Sequence, residues 1–393
     1  MTSQFLSGKT AIAGIGATEF SKESGRSEMQ LAVEAVMGAL NDAGIDPSEV
    51  DGMSSYTMDN NPEIEIHRLI GGKELKFFSR AHYGGGAACA PVVHGAMAIA
   101  SGLCDVVVVY RAMNERSGYR FGSGGGGGGG NPDDFESANF GWYFPYGLMT
   151  PASWVAMCAQ RYMYEHGATT EDFGHISVAC RDFAATNPNA WFYQQPITME
   201  DHQSSRWVAE PLRLLDCCQE SDGACALVMV SAERAKTLNK PPAMVRAGSQ
   251  GAADDAQMMT VYYRKDITRL PEMGVVANTM YEMSGLGPDD IQTAILYDHF
   301  TPFVLPQLEE FGFCKKGEAK HFVREGQHAR GGRLPINTHG GQLGEAYIHG
   351  MNGILEGVRQ IRGESVNQVA NVENVLVSAG TGVPTSGLIL GQG

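Results

Sequence analysis

The sequence predicts a layered α/β protein built from two related halves. Two sequence patterns each occur twice, once toward either end of the 393-residue chain. In addition, the valine run at 105–109 (DVVVV) has the composition of a strand that is covered on both faces. Repeated units that combine strands with helices are typical of layered α/β folds.

The first repeated pattern is a helix, a glycine that ends it, a proline, acidic residues and a strand. It reads AGIDPSEV at 43–50 and SGLGPDDI at 284–291. An apolar strand is expected after each copy, at 53–56 and at 294–297. A capping box of Ser27 with Gln30 predicts where the helix before the first copy begins.

The second repeated pattern is a glycine-rich loop followed by a buried helix. In one copy His94-Gly95 follows the glycines 84–86, and in the other His349-Gly350 follows Gly340-Gly341. A valine-rich closing strand comes after each helix. Because both patterns recur with similar spacing, we expect an internal duplication.

The repeats divide the chain into an N-terminal half, 1–240, and a C-terminal half, 241–393. The N-terminal half carries an insertion of loops and helices at about 115–215, which contains many aromatic residues and the glycine run 124–130. No Lys-Ser/Thr pair follows these glycines, so a mobile surface linker is a better interpretation than a phosphate-binding loop.

Composition excludes several classes of protein. Hydrophobic residues make up 43% of the chain and charged residues 19%, and no apolar run approaches the roughly 18 residues of a membrane span. The N-terminus has no targeting pattern, so we expect a cytoplasmic protein. A net charge of −15 without a basic stretch argues against nucleic-acid binding. The eight cysteines lack zinc or disulfide spacing, and we expect no metal and no bound cofactor in this chain.

Two C-terminal segments concentrate side chains that transfer protons, 297–300 (YDHF) and 337–350 (NTHGGQLGEAYIHG). Tyr297 ends a predicted strand, and ligands of open α/β sheets bind at that end of the strands. Backbone N–H groups after the Gly340-Gly341 loop, together with Tyr347, can converge on one developing negative charge. The alternative is that both tyrosines are core residues with satisfied hydroxyl groups.

Several features resemble the thiolase superfamily over nearly the whole chain. They are the duplicated halves, the run EPLRLLDCC at 210–218 followed by SDGA at 221–224, and the glycine loop before the second buried helix. The segments YDHFTPF (297–303) and INTHGGQLGEAYIHG (336–350) are similar to steroid side-chain-cleaving aldolases of actinobacterial sterol degradation, in the branch related to the thiolase part of sterol carrier protein X. The resemblance implies a thiolase fold, in which two duplicated α/β halves form a layered αβαβα core.

The chain departs from working thiolases at each catalytic position. The position of the nucleophilic cysteine matches Gly85, the Gly-His-Pro motif reads 340–342 (GGQ), and the region of the second catalytic cysteine reads 377–380 (VSAG). Cys89 lies about one helical turn beyond the nucleophile position, and no matching histidine can activate it. The acyl-transfer machinery of thiolases is therefore missing.

The resemblance implies retro-aldol chemistry instead. The substrate would be a β-hydroxyacyl-CoA steroid of the 17-hydroxy-3-oxopregn-4-ene-20-carboxyl-CoA type, which is cleaved to a 17-ketosteroid and propionyl-CoA, so coenzyme A enters only as part of substrate and product. Tyr297 stands where thiolases place the oxyanion-hole Asn or His, and Tyr347 follows the vacated histidine position. We expect these tyrosines to be the acid/base pair, with Asp298 and His299 positioning them. Residues expected to bind the substrate or its oxyanion are Gly85, His339, Gly340 and Gly341.

The resemblance also implies a homodimer and a small partner protein, with an OB fold and a zinc ribbon, that completes the CoA site. Two alternatives stay open. One is a degenerate thiolase that uses Cys89 and free CoA, and thiol alkylation would block it. The other is a non-catalytic scaffold subunit that binds acyl-CoA or lipid; the cluster of proton-transferring side chains argues against this alternative.

Overall fold

The structure is a computed structural model that describes residues 6–82, 84–123, 140–255, 262–381 and 385–393. The glycine run at 124–130 lies outside these residues. The strands are β1 (Thr10–Ala17), β2 (Gly52–Tyr56), β3 (Phe77–Ala81), β4 (Val106–Asn114), β5 (Trp207–Ala209), β6 (Leu212–Arg213), β7 (Asp222–Ser231), β8 (Ala243–Gly251), β9 (Thr293–Ile295), β10 (Asn374–Ser378) and β11 (Thr385–Gly391).

The helices with both ends in the described ranges frame these strands. They are α1 (Glu28–Ala43), α2 (Glu63–Leu69), α3 (Ala90–Ala100), α4 (Pro151–His166), α5 (Thr170–Thr186), α6 (Met199–Ser204), α7 (Ala232–Ala235), α8 (Pro271–Ser284), α9 (Val304–Glu310), α10 (Ala319–Arg324), α11 (Gly341–Gly344) and α12 (Met351–Arg362). Within the part of the chain that the structure describes, no helix is both long and apolar enough to cross a membrane.

The two halves of the main sheet repeat one topology. The strand order is β3-β2-β4-β7-β1-β8-β11-β10-β9. In the N-terminal part, β2 and β4 are parallel, and β7 is antiparallel to both β4 and β1. In the C-terminal part, β9 and β10 are parallel, and β11 is antiparallel to both β10 and β8. The two parts join where β1 pairs with β8 through Ala11 and Ile12.

Helices form three layers around the two half-sheets. Helix α1 packs on β1, β7 and β4, and α8 packs on β8 and β11. Helices α3 and α12 lie between the half-sheets, since α3 contacts β2, β4 and β8, and α12 contacts β9, β10 and β1. This arrangement confirms the predicted layered αβαβα core.

The valine-rich strand β4 shows why its sequence does not alternate. Val106 and Val108 belong to the apolar cluster beneath α1, whereas Val107 and Val109 belong to the cluster around α3 and α12. All four are fully buried. Because both faces of the strand are covered, apolar residues occupy consecutive positions.

The predicted helix start is confirmed, and one predicted strand is too long. Ser27 Oγ accepts a hydrogen bond from the Gln30 N–H at 3.2 Å, as the capping box requires. Strand β9 ends at Ile295, so Tyr297 lies two residues beyond it. The N–H of Tyr297 donates to Ser378 Oγ at 2.9 Å, so a side chain replaces the ladder partner that a longer strand would need.

The insertion packs over the C-terminal half and reaches the second catalytic segment. Helix α5 contacts α11, α6 and α10. Through this packing Cys180 on α5 comes within 3.5 Å of the Asp298 carboxylate. The helical part of the insertion therefore forms one wall of the site.

Candidate active site

The two segments that the sequence singled out meet through their tyrosines. The hydroxyl oxygens of Tyr297 and Tyr347 are 3.1 Å apart and share a hydrogen bond. The rings pack edge to face, with centroids 6.4 Å apart. Tyr297 is 3% exposed and Tyr347 is 9% exposed. The pair lies between the end of β9 and the start of α12, at the central layer of the fold.

Burial keeps both tyrosines protonated. Burial raises the pKa of each hydroxyl well above its ordinary value. The hydrogen bond with Tyr347 partly offsets this effect on the pKa of Tyr297, whereas negative charge on Tyr297 would raise the pKa of Tyr347 further. A resting phenolate is therefore strongly disfavoured at either position.

His299 packs against the ring of Tyr297. The two ring centroids are 5.0 Å apart in an edge-to-face arrangement. Its Nε2 shares a hydrogen bond with Thr381 Oγ1 at 3.1 Å. Burial lowers the pKa of His299 to about 4, so the imidazole is neutral at neutral pH. These contacts agree with a positioning role, which stays a prediction.

Asp298 holds the second segment in place. Its carboxylate accepts hydrogen bonds from the N–H groups of Gln342 at 2.8 Å and Leu343 at 3.4 Å. Burial raises the pKa of Asp298, and the hydrogen bond from Gln342 works against that rise. Asp298 thus caps the short helix α11, which precedes Tyr347 in the chain.

The glycines at 340 and 341 allow the backbone to approach Asp298 closely. Gly340 and Gly341 have φ values of 112° and 67°, in the left-handed region. A Cβ atom at Gly341 would lie 2.7 Å from Cγ of Asp298. The N–H groups that follow this loop were expected to face a substrate anion, but two of them are occupied by the Asp298 carboxylate. The binding role of the glycines themselves stays a prediction.

Gly85 leaves room for Tyr297. A Cβ atom at Gly85 would lie 2.8 Å from Cζ of Tyr297. Gly350 and Gly380 border the same ring, where added Cβ atoms would lie 2.7 Å and 3.0 Å from ring carbons. Tyr297 therefore occupies the space that a side chain at the thiolase nucleophile position would need.

The described contacts of His339 are with Glu345 and Asn187. Its Nε2 is 3.9 Å from a carboxylate oxygen of Glu345, and its carbonyl oxygen accepts a hydrogen bond from Asn187 at 2.9 Å. The positive charge of a protonated His339 would favour the ionised form of Asp298 and so lower the pKa of that carboxyl group. A direct role of His339 in binding substrate stays a prediction.

Cys89 has the surroundings of a packing residue. It is fully buried where α3 begins, and its Sγ lies 3.8 Å from the carbonyl oxygen of Val377. Burial raises the pKa of the thiol, and no basic side chain opposes that rise. We expect Cys89→Ala to keep the cleavage rate within about threefold of the wild-type rate, because an inert thiol contributes only packing. Steady-state kinetics of the purified variant tests this, and loss of turnover with an unchanged melting temperature would restore the thiolase alternative.

Two groups of site residues were missed by sequence reasoning. The ring of His349 lies edge to face against Tyr347, with centroids 5.1 Å apart, and Arg111 Nε donates to its Nδ1 at 3.1 Å. Arg111 in turn pairs with Asp59 at 3.2 Å. The position of His349, two residues after Tyr347 in the same segment, was the available sequence signal for this histidine. No comparable signal pointed to Arg111 or Asp59.

The second missed group centres on Glu115, which is 4% exposed and follows β4. Burial and then the charge of Glu220 raise the pKa of Glu115 to about 9, so the carboxyl group is neutral at neutral pH. The backbone N–H of Ser221 interacts with this carboxyl group, and Ser221 Oγ accepts from the N–H of Tyr347 at 3.1 Å. A neutral acid is thereby linked to the tyrosine pair through one serine.

No group of three or more His, Cys, Asp or Glu side chains suited to a metal ion occurs among the residues with described positions. The chemistry that this arrangement supports is proton transfer between neutral hydroxyls that are packed against glycine backbones.

Several known proteins are similar to this chain. A family profile described as "Thiolase C-terminal domain-like" matches residues 253–391. A steroid side-chain-cleaving aldolase of Thermomonospora curvata is 64% identical over 98% of this chain and 98% of its own. A 17-hydroxy-3-oxo-4-pregnene-20-carboxyl-CoA lyase of Mycobacterium tuberculosis is 62% identical over 98% of this chain and 100% of its own.

Solved structures extend the comparison. A structure named "Ltp2-ChsH2(DUF35) aldolase" has a TM-score of 0.94 and 62% identity, and the match covers 99% of each chain. Human mitochondrial 3-ketoacyl-CoA thiolase has a TM-score of 0.68 at 15% identity, over 99% of each chain, and shares the fold alone. These matches confirm the resemblance seen in the sequence. The chain belongs to the thiolase superfamily, in the group of the steroid side-chain-cleaving aldolases.

Proposed function

We propose that this chain is a carbon–carbon lyase that cleaves the side chain of a steroid CoA thioester by a retro-aldol reaction. The substrate is of the 17-hydroxy-3-oxo-4-pregnene-20-carboxyl-CoA type, and the products are a 17-ketosteroid and propionyl-CoA. The observation that supports this proposal most strongly is the hydrogen-bonded pair of Tyr297 and Tyr347 at a site that has glycine in place of the nucleophilic cysteine.

The reaction balances without a further reactant. The β-hydroxyl group gives up its proton, and the electron pair of that O–H bond forms the ketone. The bond between the α- and β-carbons breaks, and its electron pair forms the enolate of the propionyl thioester. The enolate then takes one proton at the α-carbon. Free CoA, water and a covalent acyl-enzyme are not required.

The tyrosine pair can carry that proton without ionising at rest. One hydroxyl accepts the proton of the substrate hydroxyl while it donates its own proton to the second tyrosine, which protonates the α-carbon. Each hydroxyl both donates and accepts, so either tyrosine can serve the substrate hydroxyl. The raised pKa values of Tyr297 and Tyr347 agree with such a neutral relay.

A comparison of two substrates tests the proposal. The 17-hydroxy thioester should be cleaved, whereas its 17-deoxy counterpart should bind without being cleaved, because only the hydroxyl supplies the proton and the oxygen electron pair. Added free CoA and alkylation of thiols should leave the rate unchanged. Cleavage of the deoxy compound, or a rate that depends on free CoA, would contradict a retro-aldol reaction.

We also propose that the chain forms a homodimer through β3. This strand is at one edge of the nine-stranded sheet, so its outer backbone groups are free to pair. Phe78 on β3 is 68% exposed. Helix α3 contacts β3, and Met97 on that helix and Leu103 just after it are 43% and 58% exposed. Exposed apolar residues beside an open strand edge are typical of an interface.

Phe78→Asp is therefore expected to yield monomers. A charge placed on an apolar interface residue typically costs 2 kcal/mol or more, which raises the dimer Kd by about thirtyfold or more. Analytical ultracentrifugation over a concentration series measures this. Met37→Asp, at an exposed apolar position on α1, is the control and should remain dimeric. An unchanged Kd for the Phe78 variant would place the dimer interface elsewhere.

A second partner is proposed from the solved relative, whose name pairs Ltp2 with ChsH2(DUF35). We propose that this chain binds a small protein of the same kind, with an OB fold and a zinc ribbon, which completes the CoA site. Coenzyme A then takes part only as a portion of substrate and product. The cytoplasmic location predicted from the sequence is part of the same proposal.

A further inference from the structure

In the proposed cleavage, negative charge develops on the oxygen of the thioester enolate, and no hydrogen-bond donor has yet been assigned to that oxygen. Such oxygens are stabilised by hydrogen-bond donors fixed in advance. The N–H groups of Gln342 and Leu343 are occupied by Asp298, and the hydroxyls of Tyr297 and Tyr347 are needed for proton transfer. These groups therefore leave the enolate oxygen without an assigned donor.

His349 is built into the same space. Its side chain is buried, lies edge to face against Tyr347 and stacks on Phe121 with centroids 5.3 Å apart. A Cβ atom at Gly84 would lie 3.5 Å from Cε1 of His349, so the ring also borders the first glycine loop. The backbone of His349 has a φ of 49°, in the left-handed region. Non-glycine residues held there cost about 1–3 kcal/mol and cluster at functional sites.

Arg111 determines which nitrogen of His349 carries the proton. A guanidinium group can only donate hydrogen bonds, so the bond from Arg111 Nε at 3.1 Å requires an unprotonated Nδ1. Burial lowers the pKa of His349 well below its ordinary value, and the charge of Arg111 lowers it further. The imidazole is therefore neutral, with its proton on Nε2.

The Nε2–H group of His349 has no hydrogen-bond acceptor among the described residues. Within the described ranges, Arg111 is its sole hydrogen-bond partner and uses the other nitrogen. Arg111 is itself fixed by Asp59, which also accepts from the N–H of Ala112 at 2.9 Å. A buried ion pair thus holds the imidazole in one orientation.

We propose that His349 is a further catalytic residue, a neutral imidazole whose Nε2–H hydrogen-bonds the thioester oxygen as that oxygen becomes the enolate oxygen, and that Arg111 is its positioning residue. This inference rests on the retro-aldol function proposed above. A neutral imidazole suits the task because it stabilises the enolate without giving up its proton.

Exchange of the α-protons of propionyl-CoA with D2O tests this role without any steroid. One tyrosine takes the α-proton while the pair passes a proton to a solvent molecule that stands in for the ketone oxygen, and the reverse step returns a deuteron from solvent to the α-carbon of the enolate. The purified complex should exchange these protons. His349→Phe should lower kcat for both exchange and cleavage by about 10²–10³-fold, the usual cost of removing one oxyanion donor, with KM changed by less than about threefold. His328→Phe is the matched control. His328 is a second buried histidine, its pKa is lowered to about 4, and it bonds the carbonyl oxygen of His175. The His328→Phe variant should keep the wild-type rates of exchange and cleavage.

If His349→Phe folds poorly, a comparison of two other variants at this position tests the same role. In His349→Asn, the shorter side chain can accept the hydrogen bond from Arg111 but has no N–H at the position of the histidine Nε2. In His349→Gln, the longer side chain can place an N–H at that position. His349→Gln should therefore exchange and cleave at least about tenfold faster than His349→Asn. Equal rates for the two variants, or a His349→Phe variant with normal exchange, would overturn the role of His349 while leaving the cleavage function intact. Absence of cleavage by the wild-type complex would instead refute the proposed function.

Discussion

Replacing either Tyr297 or Tyr347 with phenylalanine is expected to lower kcat for cleavage by about 10²–10⁴-fold, the usual contribution of a positioned acid or base. Each substitution removes one hydroxyl of the hydrogen-bonded pair and leaves the ring in place. The proton relay is then interrupted, while the apolar contacts of both rings remain. Cleavage kinetics and calorimetric titration with propionyl-CoA measure the two effects separately, and the Kd should change little.

Tyr281→Phe is the control for these variants. Tyr281 is a partly buried tyrosine whose hydroxyl donates to the carbonyl oxygen of Phe311 at 2.8 Å, so the same hydroxyl deletion is made at a purely structural bond. The double variant of Tyr297 and Tyr347 should be about as slow as the slower single variant, because the pair acts as a unit. Near-normal rates in both single variants would remove the pair from the mechanism.

Gly85→Ala is expected to inactivate the enzyme although it adds one methyl group. The new Cβ would lie 2.8 Å from Cζ of Tyr297 and closer still to its hydroxyl oxygen. The ring cannot retreat, because the backbones of Gly350 and Gly380 border it. We expect kcat to fall by about 10²-fold or more as the hydroxyl pair separates, and stability to fall by about 1–3 kcal/mol from overpacking. Cleavage kinetics and denaturant unfolding measure these changes.

Gly38→Ala and Gly85→Cys complete this test. Gly38 lies on the exposed side of α1 with ordinary space around it, so alanine there should preserve both activity and stability. Gly85→Cys restores the thiolase residue at the nucleophile position, yet it should yield no thiolysis, because Tyr297 fills the space and position 341 has no histidine. A fully active Gly85→Ala enzyme would show that Tyr297 need not stay where it is.

The layered fold could be predicted because its signals are local. The repeated helix and strand patterns and the valine run of β4 depend on which residues are neighbours in the sequence and on how many faces of a strand are covered. The two catalytic segments were also visible, since each concentrates tyrosine, histidine and aspartate within a few residues. Their meeting at a 3.1 Å hydrogen bond followed from the duplicated fold.

The roles of individual side chains were harder to predict. Residues in an extended segment alternate in direction, so Tyr297 and His299 pack together while Asp298 between them faces α11. The partners of His349 were hidden for a different reason, because Arg111 is 238 residues away in the sequence. Only the packing of β4 beside the second glycine segment brings the two together.

The most direct test of the central claim is the yield of both products from a 17-hydroxy steroid side-chain CoA thioester, with the full chain and its OB-fold partner and without added free CoA. A retro-aldol reaction predicts that the 17-ketosteroid and propionyl-CoA form in equal amounts and at equal rates. Binding of the thioester without release of either product, or formation of product only when free CoA is added, would contradict the account.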